Sequence, residues 1–447
     1  LSGMMYQKSS QSLLDAAIEQ SLPKDILSSS ARLLEQATFL LQKGRRTSAG
    51  HLDLQRRERT SLFPWRGQFS PQLVELLLQR YAEQRTVVLD PFVGSGTTLF
   101  EAARQGLSCY AADINPAAVA LSQTVYFVRL TPSERQDLIQ EAESLLKKAL
   151  QSAFIDLFSF SDIEPRIDDY SHPKEEIILS LKKDTNNHLL RIILVNTLMK
   201  YFENKNKKGN NWYTSFHELA AIIRNLPYSV AQYHIFHNDA RSLPLANTSV
   251  QLIVTSPPYI NVFNYHQNNR PLMERLGWNL LTVAQSEIGA NRKHRQNRFL
   301  TVIRYALDML AALREMRRLL AEDGHLIIVI GRESTIRGVR LGNSRLITAL
   351  ALGGAGLELA SVEERKFLNK FGEVIYEDVL HLTPTSLPPA FNDELARSLA
   401  LCLLRDSFQQ NYEDAPTNQE ILEAISKARC VDPSPLFNPE HAIGGFL

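Results

Sequence analysis

Short runs rich in β-branched and aromatic residues alternate along this chain with longer stretches whose apolar positions recur every three or four residues. Thr86-Val87-Val88-Leu89-Asp90 is the first clear strand, and it runs through Pro91-Phe92-Val93-Gly94-Ser95-Gly96-Thr97-Thr98 into a helix over 99–104. Ser108-Cys109-Tyr110-Ala111-Ala112 follows and ends in Asp113. The alternation pauses over 131–230, where 133–154 and 188–202 carry amphipathic helical spacing, then resumes at Gln232-Tyr233-His234-Ile235-Phe236 and Val250-Gln251-Leu252-Ile253-Val254. A helix over 299–320, a break at Ala321-Glu322-Asp323-Gly324 and a strand over 325–330 come next, and two final runs, 357–366 and 373–382, read as paired strands. Strand, turn and helix in repetition predict an α/β fold with a mostly parallel, twisted sheet and a terminal antiparallel hairpin. The expected organisation is an α/β domain over 61–130 and 231–385, split by a helical insertion over 131–230, with a helical segment at 1–60 and a helical tail at 386–447.

Composition changes this picture little. Among the 447 residues no apolar run is long enough to span a bilayer, no charged-then-apolar leader is present, and a cytoplasmic protein is the default expectation. Net charge is +1, so any case for nucleic acid rests on local patches. Cys109, Cys402 and Cys430 are far apart, in no metal-type spacing, and read as reduced thiols. No Pro-Cys pair occurs, which removes the familiar loop of carbon-5 cytosine chemistry.

The chemistry gathers at the strand ends. Gly94 and Gly96 let backbone approach a ligand, yet no Lys follows them as in a Walker A loop, and the third glycine of a dinucleotide fingerprint is absent. Asp113, seventeen residues past Gly96, is placed to accept from both hydroxyls of a ribose. A nucleoside-bearing ligand without a close pyrophosphate contact fits better than NAD or ATP, and S-adenosylmethionine is such a ligand. Phe69-Ser70-Pro71 opens a helix over 72–81, with Ser70 as N-cap and Pro71 in the first turn, whose N–H groups suit a carboxylate. Asp239, after the strand at 232–236, suits an adenine amine or simply a turn. Two consecutive prolines end the strand at 250–254, leaving Thr255-Ser256-Pro257-Pro258-Tyr259 as a polar side chain, rigid carbonyls and an aromatic ring, apt for a flat amino-bearing ring. Arg292, Lys293, Arg295 and Arg298 form the densest basic patch, suited to phosphates or base edges, or to a solvated loop.

Asp90-Pro91-Phe92-Val93-Gly94-Ser95-Gly96-Thr97-Thr98 followed by Thr255-Ser256-Pro257-Pro258-Tyr259 resembles the S-adenosylmethionine-dependent amino-methyltransferases of DNA, over 60–130 and 230–385. The resemblance implies a Rossmann-like methyltransferase fold and S-adenosylmethionine as cofactor. It places Phe69, Ser70, Pro71, Asp90, Phe92, Gly94, Ser95, Gly96 and Thr97 around the methionine end, Asp113 and Ile114 at the ribose, and Asp239 with Ala240 at the adenine. Ser256, Pro257, Pro258 and Tyr259 would hold the target base, flipped from double-stranded DNA. Ser at the first position leans toward cytosine-N4 in a modification methylase, with a cognate restriction endonuclease as a partner. Adenine-N6 transfer, transfer to an RNA amine and a catalytically silent nucleic-acid-binding subunit are the competing readings.

Overall fold

The computed structural model describes residues 13–14, 16–18, 21–45, 52, 60–68, 70–155, 186–204, 211–260, 264–290, 296–368, 372–386, 393–410 and 414–442. Strands β1 (Val87–Asp90), β2 (Ser108–Asp113), β3 (Tyr233–His237), β4 (Val250–Thr255) and β5 (Leu320–Gly331) run parallel. A separate hairpin, β6 (Glu333–Ile336) with β7 (Val339–Gly342), follows, and β8 (Leu357–Leu368) and β9 (Val374–Pro384) close the sheet antiparallel. The order is β3-β2-β1-β4-β5-β9-β8. Successive strands step outward in opposite directions from β1 and β4, so the loops after these two neighbours open on one crevice, the place where such sheets bind ligands.

Alternation along each strand feeds two cores. Val88, Leu252, Val254, Ile327 and Val329 face one way, while Leu89, Ile253, Leu326, Ile328 and Ile330 face the other. In chain order the larger helices are α1 (Lys24–Arg45), α2 (Pro71–Tyr81), α3 (Thr97–Arg104), α4 (Pro132–Ile155), α5 (His188–Asn204), α6 (Trp212–Arg224), α7 (Leu300–Leu319), α8 (Asn343–Gly354), α9 (Asp393–Gln410) and α10 (Ala415–Ser426). Helices α2 to α6 cover the first face, and α1 with α7 to α9 cover the second. Among the described residues no helix is long and apolar enough to cross a membrane.

The helices of the segment 131–230 pack onto the sheet: Ile139, Leu194 and Phe216 share one cluster with Val88 and Leu252. Buried Arg135 adds to this by donating to the carbonyls of Phe127 (2.8 Å), just before the segment, and Pro227 (2.7 Å), near its end. The break expected at 321–324 lies inside β5, because Val250 pairs with Leu320 and Leu252 with His325, and the extra residues bulge. Gly324 makes the bulge possible, since a Cβ there would lie 2.7 Å from Leu320 Cδ1 and 2.9 Å from the Gln251 carbonyl. The β6–β7 hairpin was not expected; Arg337 and Gly338 turn it, both with positive φ (49° and 84°).

Candidate active site

The end of β1 is built around a buried carboxylate. Asp90 Oδ1 accepts from the Thr255 hydroxyl at 2.6 Å and the Phe92 N–H at 3.1 Å, and Oδ2 accepts from the Thr98 hydroxyl at 2.6 Å. One side chain thus ties the tip of β1 to the tip of β4 and to α3. Burial pushes its carboxyl up to about 6, opposed by those three donors. Asp90 does not line the cleft, so its expected role as a cofactor ligand is corrected to holding the two loops in register.

That cleft lies over the β1 and β4 tips, and Phe92, Gly94, Ser95, Thr97, Asp113, Ile114, Asp239, Ala240, Ser256, Pro258 and Tyr259 all reach it. Gly94 (φ +52°) is closed over by an aromatic ring that sequence reasoning missed: a Cβ there would lie 2.8 Å from Trp65 Cδ1. Gln68, also unforeseen, accepts from the Ser95 hydroxyl at 3.0 Å. The Pro64-Trp65 pair ahead of the α2 start was the available signal. Gly96 (φ +93°) is off the cleft; it is the left-handed residue before α3, with Phe100 and Ser122 close against it. Ser70 precedes α2 with extended backbone but makes no side-chain cap, and its buried Oγ has no partner among the described residues. Pro71 belongs to a smaller neighbouring cavity that Ser95 and Thr97 also line, and Phe69 lies outside the described residues.

Asp113, at the end of β2, is partly buried. Its Oδ2 accepts from the Gly94 N–H at 3.1 Å and its Oδ1 from the Asn115 N–H at 2.8 Å. A carboxylate offers about four acceptor sites, so capacity for two hydroxyl donors remains. Burial raises its carboxyl to about 7, with Asp90 and Glu287 adding to the rise and the two N–H groups opposing it. The ionised form is the better acceptor for hydroxyl donors, so binding of a ribose-bearing ligand is expected to weaken as pH falls through about 7, by at most about ten-fold per pH unit. Calorimetry of S-adenosylhomocysteine from about pH 8 to about pH 6 checks this, and Asp113→Asn should flatten the dependence.

Asp239 is the second correction. Its Oδ1 accepts from the Arg241 N–H (3.0 Å) and Nε (2.9 Å), and its Oδ2 from Arg241 Nη2 (2.7 Å) and the Phe437 N–H (2.9 Å). All four acceptor sites are taken, so this carboxylate has none left for an adenine amine. Arg241 in turn donates to Asp308 and to the carbonyls of Ser434 and Pro435, joining β3, α7 and the C-terminal tail beneath the cleft wall.

On the opposite lip, Ser256, Pro258 and Tyr259 face the cleft, and Pro257 is buried behind them. Tyr305 of α7 donates its hydroxyl to the Pro258 carbonyl at 2.9 Å, while among the described residues nothing donates to that of Pro257. Asn343 accepts from the Ile260 N–H at 3.3 Å and donates to the Gly331 carbonyl at 3.1 Å, fixing the loop's exit. Tyr259 donates to Glu377 at 3.2 Å, and burial together with the Glu377 charge keeps its phenol protonated well above the usual range. Its ring lies against Gly331, where a Cβ would meet Cε2 at 2.8 Å. Tyr305, Asn343, Gly331 and Glu377 were not foreseen. Gly331→Ala should displace the Tyr259 ring at a cost of about 1–3 kcal/mol. Turnover should fall while cofactor affinity holds, as initial rates and calorimetry would report.

Arg298, exposed just before α7, is not part of the cleft, and Arg292, Lys293 and Arg295 lie outside the described residues. The segment that leads into this patch, Ile288-Gly289-Ala290, does form cleft wall.

Residues 68–312, more than half of the chain, match the D12 class N6 adenine-specific DNA methyltransferase family. The chain belongs to that family. It is also similar to the Type II methyltransferase M.MjaII of Methanocaldococcus jannaschii, 40% identical over 67 residues, which are 14% of this chain and only 13% of that protein. Among solved structures, a SAM-dependent methyltransferase of Methanosarcina mazei is 11% identical with a TM-score of 0.31, over 69% of this chain and 97% of that one. A TehB-like SAM-dependent methyltransferase of Corynebacterium glutamicum is 11% identical with a TM-score of 0.27, over 70% and 87%. The family does not support the lean toward cytosine-N4 drawn from Ser256. Its cofactor is S-adenosylmethionine, and the residues present fit that molecule: an Asp113 with acceptor capacity to spare, and a Ser70 Oγ at the α2 start that has no partner among the described residues.

Proposed function

We propose that the chain transfers a methyl group from S-adenosylmethionine to the exocyclic N6 amine of an adenine flipped out of duplex DNA. The observation that carries this reading is the shared cleft: Gly94 after β1, Asp113 at the end of β2, and Ser256, Pro258 and Tyr259 after β4 line a single cavity. The family match supports adenine as the base. The name of the archaeal relative, a Type II methyltransferase, supports a restriction–modification setting.

In this reading Asp113 holds the ribose hydroxyls, Ser70 and the first turn of α2 hold the methionine carboxylate, and Trp65 shields the Gly94 turn. The cofactor supplies an electrophilic methyl on a sulfonium centre. An aromatic amine is a poor nucleophile because its lone pair is delocalised into the ring. The Ser256 hydroxyl and the Pro257 carbonyl accept hydrogen bonds from that amine, favour a pyramidal nitrogen and aim its lone pair across the cleft. Tyr259, its hydroxyl held by Glu377 and its ring lodged against Gly331, offers a ring face to the base. Flipping costs a few kcal/mol, which this stack and the closed wall help offset.

Ser256 favours a second reading, cytosine-N4, by the residue type at that position. Single-molecule sequencing of DNA from cells expressing the chain separates the two: 6-methyladenine within a fixed sequence supports the proposal, 4-methylcytosine selects the second reading, and absence of both refutes the site assignment.

A further inference from the structure

Arg365 on β8 pairs with Glu377 on β9, and Glu377 pairs with Gly331 at the end of β5. Residues directly opposite in antiparallel strands share a face, so this row presents a guanidinium, a carboxylate and bare backbone side by side. Tyr259 lies on that row. Its ring lodges against Gly331, and its hydroxyl donates to Glu377 Oε1 at 3.2 Å. Arg365 Nη1 donates to the other oxygen, Oε2, at 2.7 Å, with the Phe367 ring 4.9 Å from the guanidinium. Neither Arg365 nor Glu377 lines the cleft, and their side chains are only 7% and 11% exposed. What they can influence there they influence through Tyr259.

A buried carboxylate stripped of its cation turns toward water or takes up a proton, and either change breaks a hydrogen bond that it was accepting. The cation paired with Glu377 is Arg365, and the bond at stake is the one Tyr259 donates. We infer, on the basis of the proposed function, that Arg365 is a positioning residue for methyl transfer: it compensates the Glu377 charge and takes one oxygen, Glu377 holds the Tyr259 hydroxyl with the other, and the ring keeps the orientation in which the flipped base stacks on it. Gly331 fixes where the ring lies, while the Arg365–Glu377 pair fixes how it is turned. A stacking ring that wanders loses part of its hold on the base, because the contact depends on facing planes.

The test is a double-mutant cycle in the purified full chain: wild type, Arg365→Met, Tyr259→Phe and the double variant, assayed on one duplex DNA of broad sequence content. Arg365→Met should lower kcat/KM by about five-fold or more, whereas in the Tyr259→Phe background the same change should cost less than about two-fold, since the hydroxyl through which it acts is gone. Arg365→Lys, which keeps the cation, should come back to within about three-fold of wild type, and S-adenosylhomocysteine affinity should hold throughout. If Arg365→Met does not fold, Arg365→Met/Glu377→Leu takes its place, because it buries no charge; in it Tyr259→Phe should cost less than about two-fold. Equal losses in both backgrounds would overturn the positioning role, leaving Arg365 a part of the fold alone. So would full activity in Arg365→Met. A wild-type chain that methylates no amine would instead refute the proposed function, and the role of Arg365 with it.

Discussion

Arg241→Ala is expected to be the most damaging single change away from the cleft surface, costing about 3–5 kcal/mol of folding stability. Arg241 and both its acidic partners are almost fully buried, with side chains 2%, 3% and 0% exposed for Arg241, Asp239 and Asp308. Removing the guanidinium leaves two buried carboxylates without a cation and strips donors from the Ser434 and Pro435 carbonyls. Burial already raises the Asp308 carboxyl and the Arg241 charge holds it down, so the variant should raise it further. A carboxyl raised above its unfolded value makes the folded state bind more protons, so stability increases as pH falls through that range. The variant should therefore recover part of its loss toward about pH 5, whereas loss of the same size at every pH would point to lost packing alone. Denaturant titration at several pH values measures both.

Tyr259→Ala carries the largest expected effect on turnover that spares the fold. Loss of a base stack worth about 1–3 kcal/mol corresponds to roughly five- to 150-fold in kcat/KM. Cofactor affinity should stay within about two-fold, because Tyr259 sits on the acceptor lip and the donor residues lie across the cleft. Tyr259→Phe keeps the ring and loses only the bond to Glu377, so it should fall between the two. Steady-state kinetics with parallel calorimetry would decide, and an alanine variant with full activity would remove Tyr259 from the mechanism.

What the sequence made legible was local. Strand, glycine turn and helix follow one another without interruption from Val87 to Arg104, and two prolines end β4 by their own covalent geometry, so the two loops could be placed from pattern alone, while their shared crevice needed the pairing of β1 with β4. Asp90 and Asp239 were legible as acids at strand ends but not in their duties. Their partners Thr255 and Phe437 stand 165 and 198 residues away and arrive only through packing. Tyr305 and Glu377, 47 and 118 residues from the carbonyl and hydroxyl they hold, carry no signature in their own neighbourhoods. Trp65 is the exception, close in sequence to a helix start that had already been singled out. The cytosine lean lacks the family's support for a different reason, since one side chain at the head of a loop does not define the shape of the pocket that receives a base.

The most direct measurement is nucleoside mass spectrometry of duplex DNA incubated with the purified chain and S-adenosylmethionine carrying a deuterated methyl group. The label is expected on N6 of adenine, and to be strongly reduced with Tyr259→Ala. Label on neither exocyclic amine, with DNA of broad sequence content, would contradict a cleft in which one strand tip presents the donor and its neighbour the base.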